Sequence, residues 1–201
     1  MIDYAATYIY FFAVVDPIGT VPIFIAVTRG CEQHSIRIAL TATAAAAAVL
    51  IFFVLAGEVI LTAMGITLPA FRVAGGIVLF LFALSMIFGD SKPEQELQLA
   101  ASVQDKAVFP LAIPSIAGPG SMLAAVLSTE NARFTLVEQA LTTAMLLAVL
   151  LTTLALMLLA GRIHRLIGNT GASIISRVMG LILAALATST TLAGIQEYFQ
   201  L

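Results

Sequence analysis

Apolar residues run along the chain in long stretches broken by short polar clusters, without the strict alternation of a half-buried strand. A helix needs roughly 20 apolar residues to cross the hydrocarbon core. Read this way, the sequence predicts six membrane-crossing helices: Tyr4 to Thr28, Arg37 to Ala63, Leu68 to Phe88, Ala107 to Thr129, Leu136 to Ala160 and Ser173 to Phe199. The long polar connection, Gly89 to Lys106, holds Asp90, Lys92, Pro93, Glu94, Glu96, Asp105 and Lys106, and it divides the helices into two groups of three. The predicted fold is therefore an all-α membrane protein forming one transmembrane domain. Its first repeat covers residues 1–89, its linker 90–106 and its second repeat 107–201.

Composition sharpens this reading. The chain is 61% hydrophobic and 10% charged, with a mean hydropathy of +1.08, whereas a soluble domain is about 25% charged. Six crossings use nearly all of the 201 residues, so no extramembrane catalytic module is expected. Paired acids, a metal cluster and nucleophile-base spacing are absent from the sequence, which argues against an enzyme and implies no cofactor. No phosphate-binding loop is present for direct ATP use. The net charge of −2 comes without a basic run, so nucleic acid is not an expected partner. Met1-Ile2-Asp3 lacks the positive region of a cleavable signal, and the first apolar segment is expected to remain as a helix. Cys31 stands alone and can form no intrachain disulfide, and His34 and His164 lack metal-ligand spacing.

Short loops on the cytoplasmic side of a membrane carry an excess of Lys and Arg. The connections after segments one, three and five hold Arg29, Arg37, Lys92, Lys106, Arg162 and Arg165, against Arg133 alone on the opposite side. Both termini are therefore predicted on the outer, periplasmic side, with the linker in the cytoplasm.

Each helix of one half has a match in the other. Arg72-Val73-Ala74-Gly75 pairs with Arg177-Val178-Met179-Gly180, Leu55-Ala56-Gly57-Glu58 with Leu159-Ala160-Gly161-Arg162, and Pro17-Ile18-Gly19-Thr20 with Pro119-Gly120-Ser121 after one deletion. The offset runs only from 101 residues, Thr20 to Ser121, to 105 residues, Arg72 to Arg177. Units with an odd number of helices insert in opposite senses, which predicts the inverted-topology repeat used by many secondary transporters.

Five of the seven prolines fall in segments one and four: Pro17 and Pro22, then Pro110, Pro114 and Pro119. With Gly19, Gly118 and Gly120 beside them, they predict helix breaks near mid-membrane, around Asp16 to Pro22 and Ala117 to Ser121. Broken backbone in hydrocarbon has to face protein or a water-filled cavity. Thr20 and Ser121 stand where an N-cap would open each second half-helix. Free N–H groups there suit a carboxylate, and the carbonyls ending the first half-helices suit an ammonium group. The pair predicts a cradle for a zwitterion such as an amino acid, formed by Asp16, Pro17, Ile18, Gly19 and Thr20 with Gly118, Pro119, Gly120 and Ser121. The alternative is that Pro and Gly only kink packed helices.

Asp16 has three readings: a cap, a contact to substrate ammonium, or a carrier of a coupling proton. Arg72 and Arg177 occupy matching repeat positions near the outer and inner faces, either snorkelling or each closing one side of the cavity against the broken segment. Glu58 is read as headgroup-exposed or as a proton relay. The hydroxyls of Thr188-Ser189-Thr190-Thr191 bond to helix backbone or line a solute path, and Ala44 to Ala48 reads as close helix packing.

The stretch Asp16-Pro17-Ile18-Gly19-Thr20-Val21-Pro22-Ile23-Phe24, the run Pro110-Leu111-Ala112-Ile113-Pro114 leading into Ala117-Gly118-Pro119-Gly120, and the two Arg-containing helix starts resemble the MarC family over essentially the whole chain. The resemblance implies a multi-pass prokaryotic inner-membrane protein, distantly similar to LysE-type exporters. Family members characterised as transporters export small neutral amino acids such as alanine and glycine. It places the substrate site between the discontinuous helices, at Asp16 to Thr20 and Gly118 to Ser121. Many members have Asn before that proline, so the resemblance does not carry over a mechanism that needs the Asp16 carboxylate.

Three functions follow as expectations. The first is an alternating-access exporter of small neutral amino acids, with a proton as a candidate coupling ion. The others are a channel-like pore and a membrane scaffold or accessory protein without transport. The sequence leaves a homo-oligomer open.

Overall fold

A computed structural model describes residues 3–88, 107–131 and 133–200, and among them the chain is helical with no strand. Helix α1 spans Tyr4–Val15 and α2 Pro17–Thr28. A 3-10 turn at Glu32–His34 leads into α3, Ser35–Ala63, followed by α4, Leu68–Phe88. The second half comprises α5, Ala107–Ile116, α6, Pro119–Leu127, α7, Leu136–Leu158, and α8, Ala160–Phe199. The linker and its acids and lysines lie outside the described residues.

Five elements are long and apolar enough to cross a membrane: Tyr4–Thr28, Glu32–Ala63, Leu68–Phe88, Leu136–Leu158 and Ser173–Phe199. The pair α5 and α6, bent by 54°, supplies a sixth if it counts as one span. Large apolar side chains such as Leu55, Val59, Leu81, Leu151 and Leu181 project outward from these helices. So much exposed apolar surface suits lipid and would be untenable in water. Within the bundle, threonine hydroxyls donate to carbonyls four residues back, as from Thr43 to Ala39 and Thr153 to Val149, so these buried polar groups are satisfied inside their own helix.

The element over 160–199 corrects one sequence expectation. The sequence puts Arg162 and Arg165 in a loop, yet helix resumes at Ala160 and breaks only at Gly168, where φ 65 and ψ 179 suit a residue without a Cβ. The sixth crossing thus begins on a helical arm. Hydropathy did not signal that arm because Arg162, His164 and Arg165 interrupt its apolar residues while its backbone is helical.

Helices α4 and α8 form the most extensive pair, and α1 and α2 run through the middle, touching α5, α6, α7 and α8 between them. The first span is 56% buried over its central window, against 17% for Leu68–Phe88. The interrupted first segment is therefore covered by protein more than the other four long spans.

Candidate functional site

Local chemistry explains both interruptions. After α1, Asp16 takes the left-handed conformation, φ 49 and ψ 65, which Asp tolerates better than most residues. Pro17 then opens α2 at its first position, where a missing N–H is harmless and the fixed φ is already helical. In the second segment Phe109 and Ile113, each preceding a proline, adopt extended geometry, φ −128 and −129. The proline ring disfavours helical geometry in the residue before it, which accounts for the wide, irregular winding of α5. Pro119 opens α6 as Pro17 opens α2.

Of the caps the sequence offers, Asp16 holds, while Thr20 and Ser121 do not. Asp16, not Thr20, caps α2: its Oδ1 accepts from the Gly19 N–H at 3.0 Å. Thr20 instead donates from Oγ1 to the Asp16 carbonyl at 3.1 Å. Ser121 does not cap α6 either; its Oγ donates back to the carbonyls of Ile116 and Gly118, both at 3.0 Å. Extended Gly118 precedes α6, and no side chain caps that end. The two half-helix starts are thus chemically unlike. One already holds an internal carboxylate, and the other presents backbone N–H groups without a side-chain acceptor.

The structure brings the two segments together through hydroxyls. Thr20 Oγ1 lies 3.4 Å from Ser115 Oγ, and since Thr20 donates to Asp16, Ser115 is the one left to donate across. Ser115 was not singled out in the sequence, because nothing local marks it; only the approach of α5 to α2 does. Asp16, Pro17, Thr20, Gly120 and Ser121 are buried, Ile18, Gly19 and Gly118 half-buried, and Pro119 exposed.

Neither arginine of the matching motifs has a hydrogen bond or ion pair to these breaks among the described residues. Arg72 on α4 donates to Glu197 on α8 at 2.6 Å. The other Glu197 oxygen takes Arg133 at 2.7 Å, and Arg133 Nε lies 3.2 Å from the buried Glu130. Arg177 is exposed and lines an open cavity of about 420 Å³ with Thr170, Ser173 and Ile174. Glu58 accepts from the backbone N–H and side chain of Asn131, at 2.9 and 2.8 Å, in the turn after α6. The hydroxyls of Thr188, Thr190 and Thr191 bond to their own helix carbonyls.

Residues 1–199 match the family model described as MarC family integral membrane protein. A UPF0056 membrane protein of Aquifex aeolicus is 33% identical over 190 residues, covering 92% of this chain and 88% of that relative. One from Methanocaldococcus jannaschii is 35% identical over 189 residues, covering 92% of each. The Escherichia coli membrane protein YhcE is 32% identical over 202 residues, covering 98% of this chain and 93% of that relative. No solved structure matches the chain.

Proposed function

Since the chain belongs to the MarC family of integral membrane proteins, we propose that it is a secondary transporter exporting small neutral amino acids such as alanine and glycine by alternating access across the inner membrane, with both termini outside. The observation that carries this reading is the unlike pair of half-helix starts, at which Asp16, Pro17, Gly120 and Ser121 are buried. The substrate carboxylate goes to the N-terminus of α6, at Gly118 to Ser121, where no side chain competes. The ammonium goes to the carbonyls that end α1. Asp16 already satisfies α2, so α2 offers the solute little attraction for a second anion.

An inverted repeat is supported by how the elements pack. Exchange α1 and α2 with α5 and α6, α3 with α7, and α4 with α8, and the main pairings map onto one another. Thus α3 against α5 mirrors α7 against α1, and α2 against α8 mirrors α6 against α4. Two such halves rocking about a central site is the usual route to alternating access. Burial of Thr20 and Ser121 favours an occluded site over a standing pore.

The test is purified protein in liposomes with labelled alanine or glycine, against sugars, cations and drugs. Saturable uptake abolished by excess unlabelled alanine is expected. Alanine flux no greater than in empty liposomes overturns the proposal.

A further inference from the structure

We infer that the turn joining α6 to α7 is a releasable latch, pinned by Glu197 through Arg133 and by Glu58 through Asn131, that closes the outer access to the solute site at the start of α6. This rests on the reading of that site given above.

The latch is built from all sides. Glu197 uses one carboxylate oxygen for Arg72 and the other for Arg133, so an alternating row forms from Arg72 through Glu197 and Arg133 to Glu130. Asn131, between Glu130 and Arg133 in sequence, is held twice by Glu58 from α3 and once by Gln139 from α7, at 3.1 Å. One short turn is therefore tied to α3, α7 and α8. It follows α6 directly, so its position sets the position of α6.

Glycine contacts indicate which bodies move apart. A Cβ on Gly76 would meet the Ala187 carbonyl at 3.0 Å, one on Gly180 the Ala83 carbonyl at 3.0 Å, and one on Gly194 the Pro69 carbonyl at 3.0 Å. Helices α4 and α8 thus meet backbone to backbone at several heights. The Arg72 to Glu197 bond lies within that pair, so Arg72 is a positioning residue that aims Glu197 at Arg133. Helix α6 rests on its neighbours differently. Gly57 faces the Val126 side chain, Gly75 the Leu123 side chain, and Gly120 the side chains of Leu79 and Val14. Contacts to flexible side-chain ends rearrange more readily than contacts to fixed backbone.

The bonds holding the turn are also the ones solvent can reach. The Arg133 and Glu197 side chains are 46% and 33% exposed, against 12% for Arg72. Salt therefore weakens the Arg133 bond first.

The experiment uses full-length protein carrying Cys31→Ala and Ser115→Cys in oriented vesicles, with a membrane-impermeant maleimide added on the face that carries Gln200. Glu197→Gln and Arg133→Gln should each accelerate labelling about tenfold by shifting the closed population. Arg133→Lys should stay near the parent rate, and Arg177→Gln should change nothing. Salt at about 1 M, where the screening length falls to about 3 Å, should accelerate the parent and leave Glu197→Gln unmoved. The salt arm needs no variant and so survives any misfolding of one. Equal labelling rates in the parent and both Gln variants, or the same acceleration in Arg177→Gln, overturns the latch. Labelling requires no solute. With flux read in protein that keeps Ser115, an unresponsive thiol alongside intact alanine flux removes the latch alone, and a responsive thiol without flux removes the transport reading alone.

Discussion

The hydroxyl oxygens of Thr20 and Ser115 stand 3.4 Å apart, one on each interrupted segment and 95 residues apart in sequence. Ser115→Ala deletes this cross-link while leaving the Thr20 bond to Asp16 intact. A neutral hydrogen bond contributes about 1 kcal/mol, so alanine flux should fall about fivefold. Unfolding in SDS titration should move by no more than about 1 kcal/mol. A large loss of stability with unchanged flux would make the contact purely structural.

Asp16 separates capping from charge. Asn keeps an oxygen for the Gly19 N–H and tolerates the left-handed backbone, so Asp16→Asn should retain both stability and saturable flux. Asp16→Ala forfeits the cap and strains the backbone, a combined cost of about 2 to 3 kcal/mol. If Asp16→Asn folds normally but carries no alanine, the charge itself works in transport.

Arg72 and Arg177, which occupy matching sequence motifs, should respond unequally. Arg72 is largely buried and bonded to Glu197, so Arg72→Gln should destabilise by about 1 to 3 kcal/mol, between the values for exposed and buried pairs. Arg177 is exposed and has no ion pair among the described residues, so Arg177→Gln should stay within about 0.5 kcal/mol. Equal losses in a thermal melt would contradict the asymmetry.

Gly76 and Gly161 make a second contrast. A methyl at Gly76 meets the Ala187 carbonyl at 3.0 Å and the Thr191 amide at 3.1 Å, and Gly76→Ala should cost about 1 to 3 kcal/mol. Nothing lies within 4 Å at Gly161. Gly161→Ala should be neutral or gain up to about 1 kcal/mol from helix propensity. The same denaturation assay ranks both.

The spans were readable because hydropathy is a local property: Leu68–Phe88 has the ends the sequence predicts, and α3 begins at Ser35 rather than Arg37. The positions of the prolines were equally local, and Pro17 and Pro119 stand first in α2 and α6. What was not readable depends on contacts across the fold. Glu197 meets Arg72 from 125 residues away, and no pattern near either residue announces the bond. Thr20 and Ser121 carry the usual N-cap side chains, but carbonyls one turn back compete for their hydroxyls and win.

The depth at which Asp16 and its interrupted backbone are covered bears on biogenesis. The partners that enclose α1 and α2 come largely from α7 and α8, with α5 and α6 adding to them, and all four are translated after the whole first half. An acid near the middle of an inserting helix costs about 2.5 to 3.5 kcal/mol. The nascent first half therefore enters the bilayer with a polar seam still unshielded. Its final seating waits on the second half, whose helices complete the cover over Asp16.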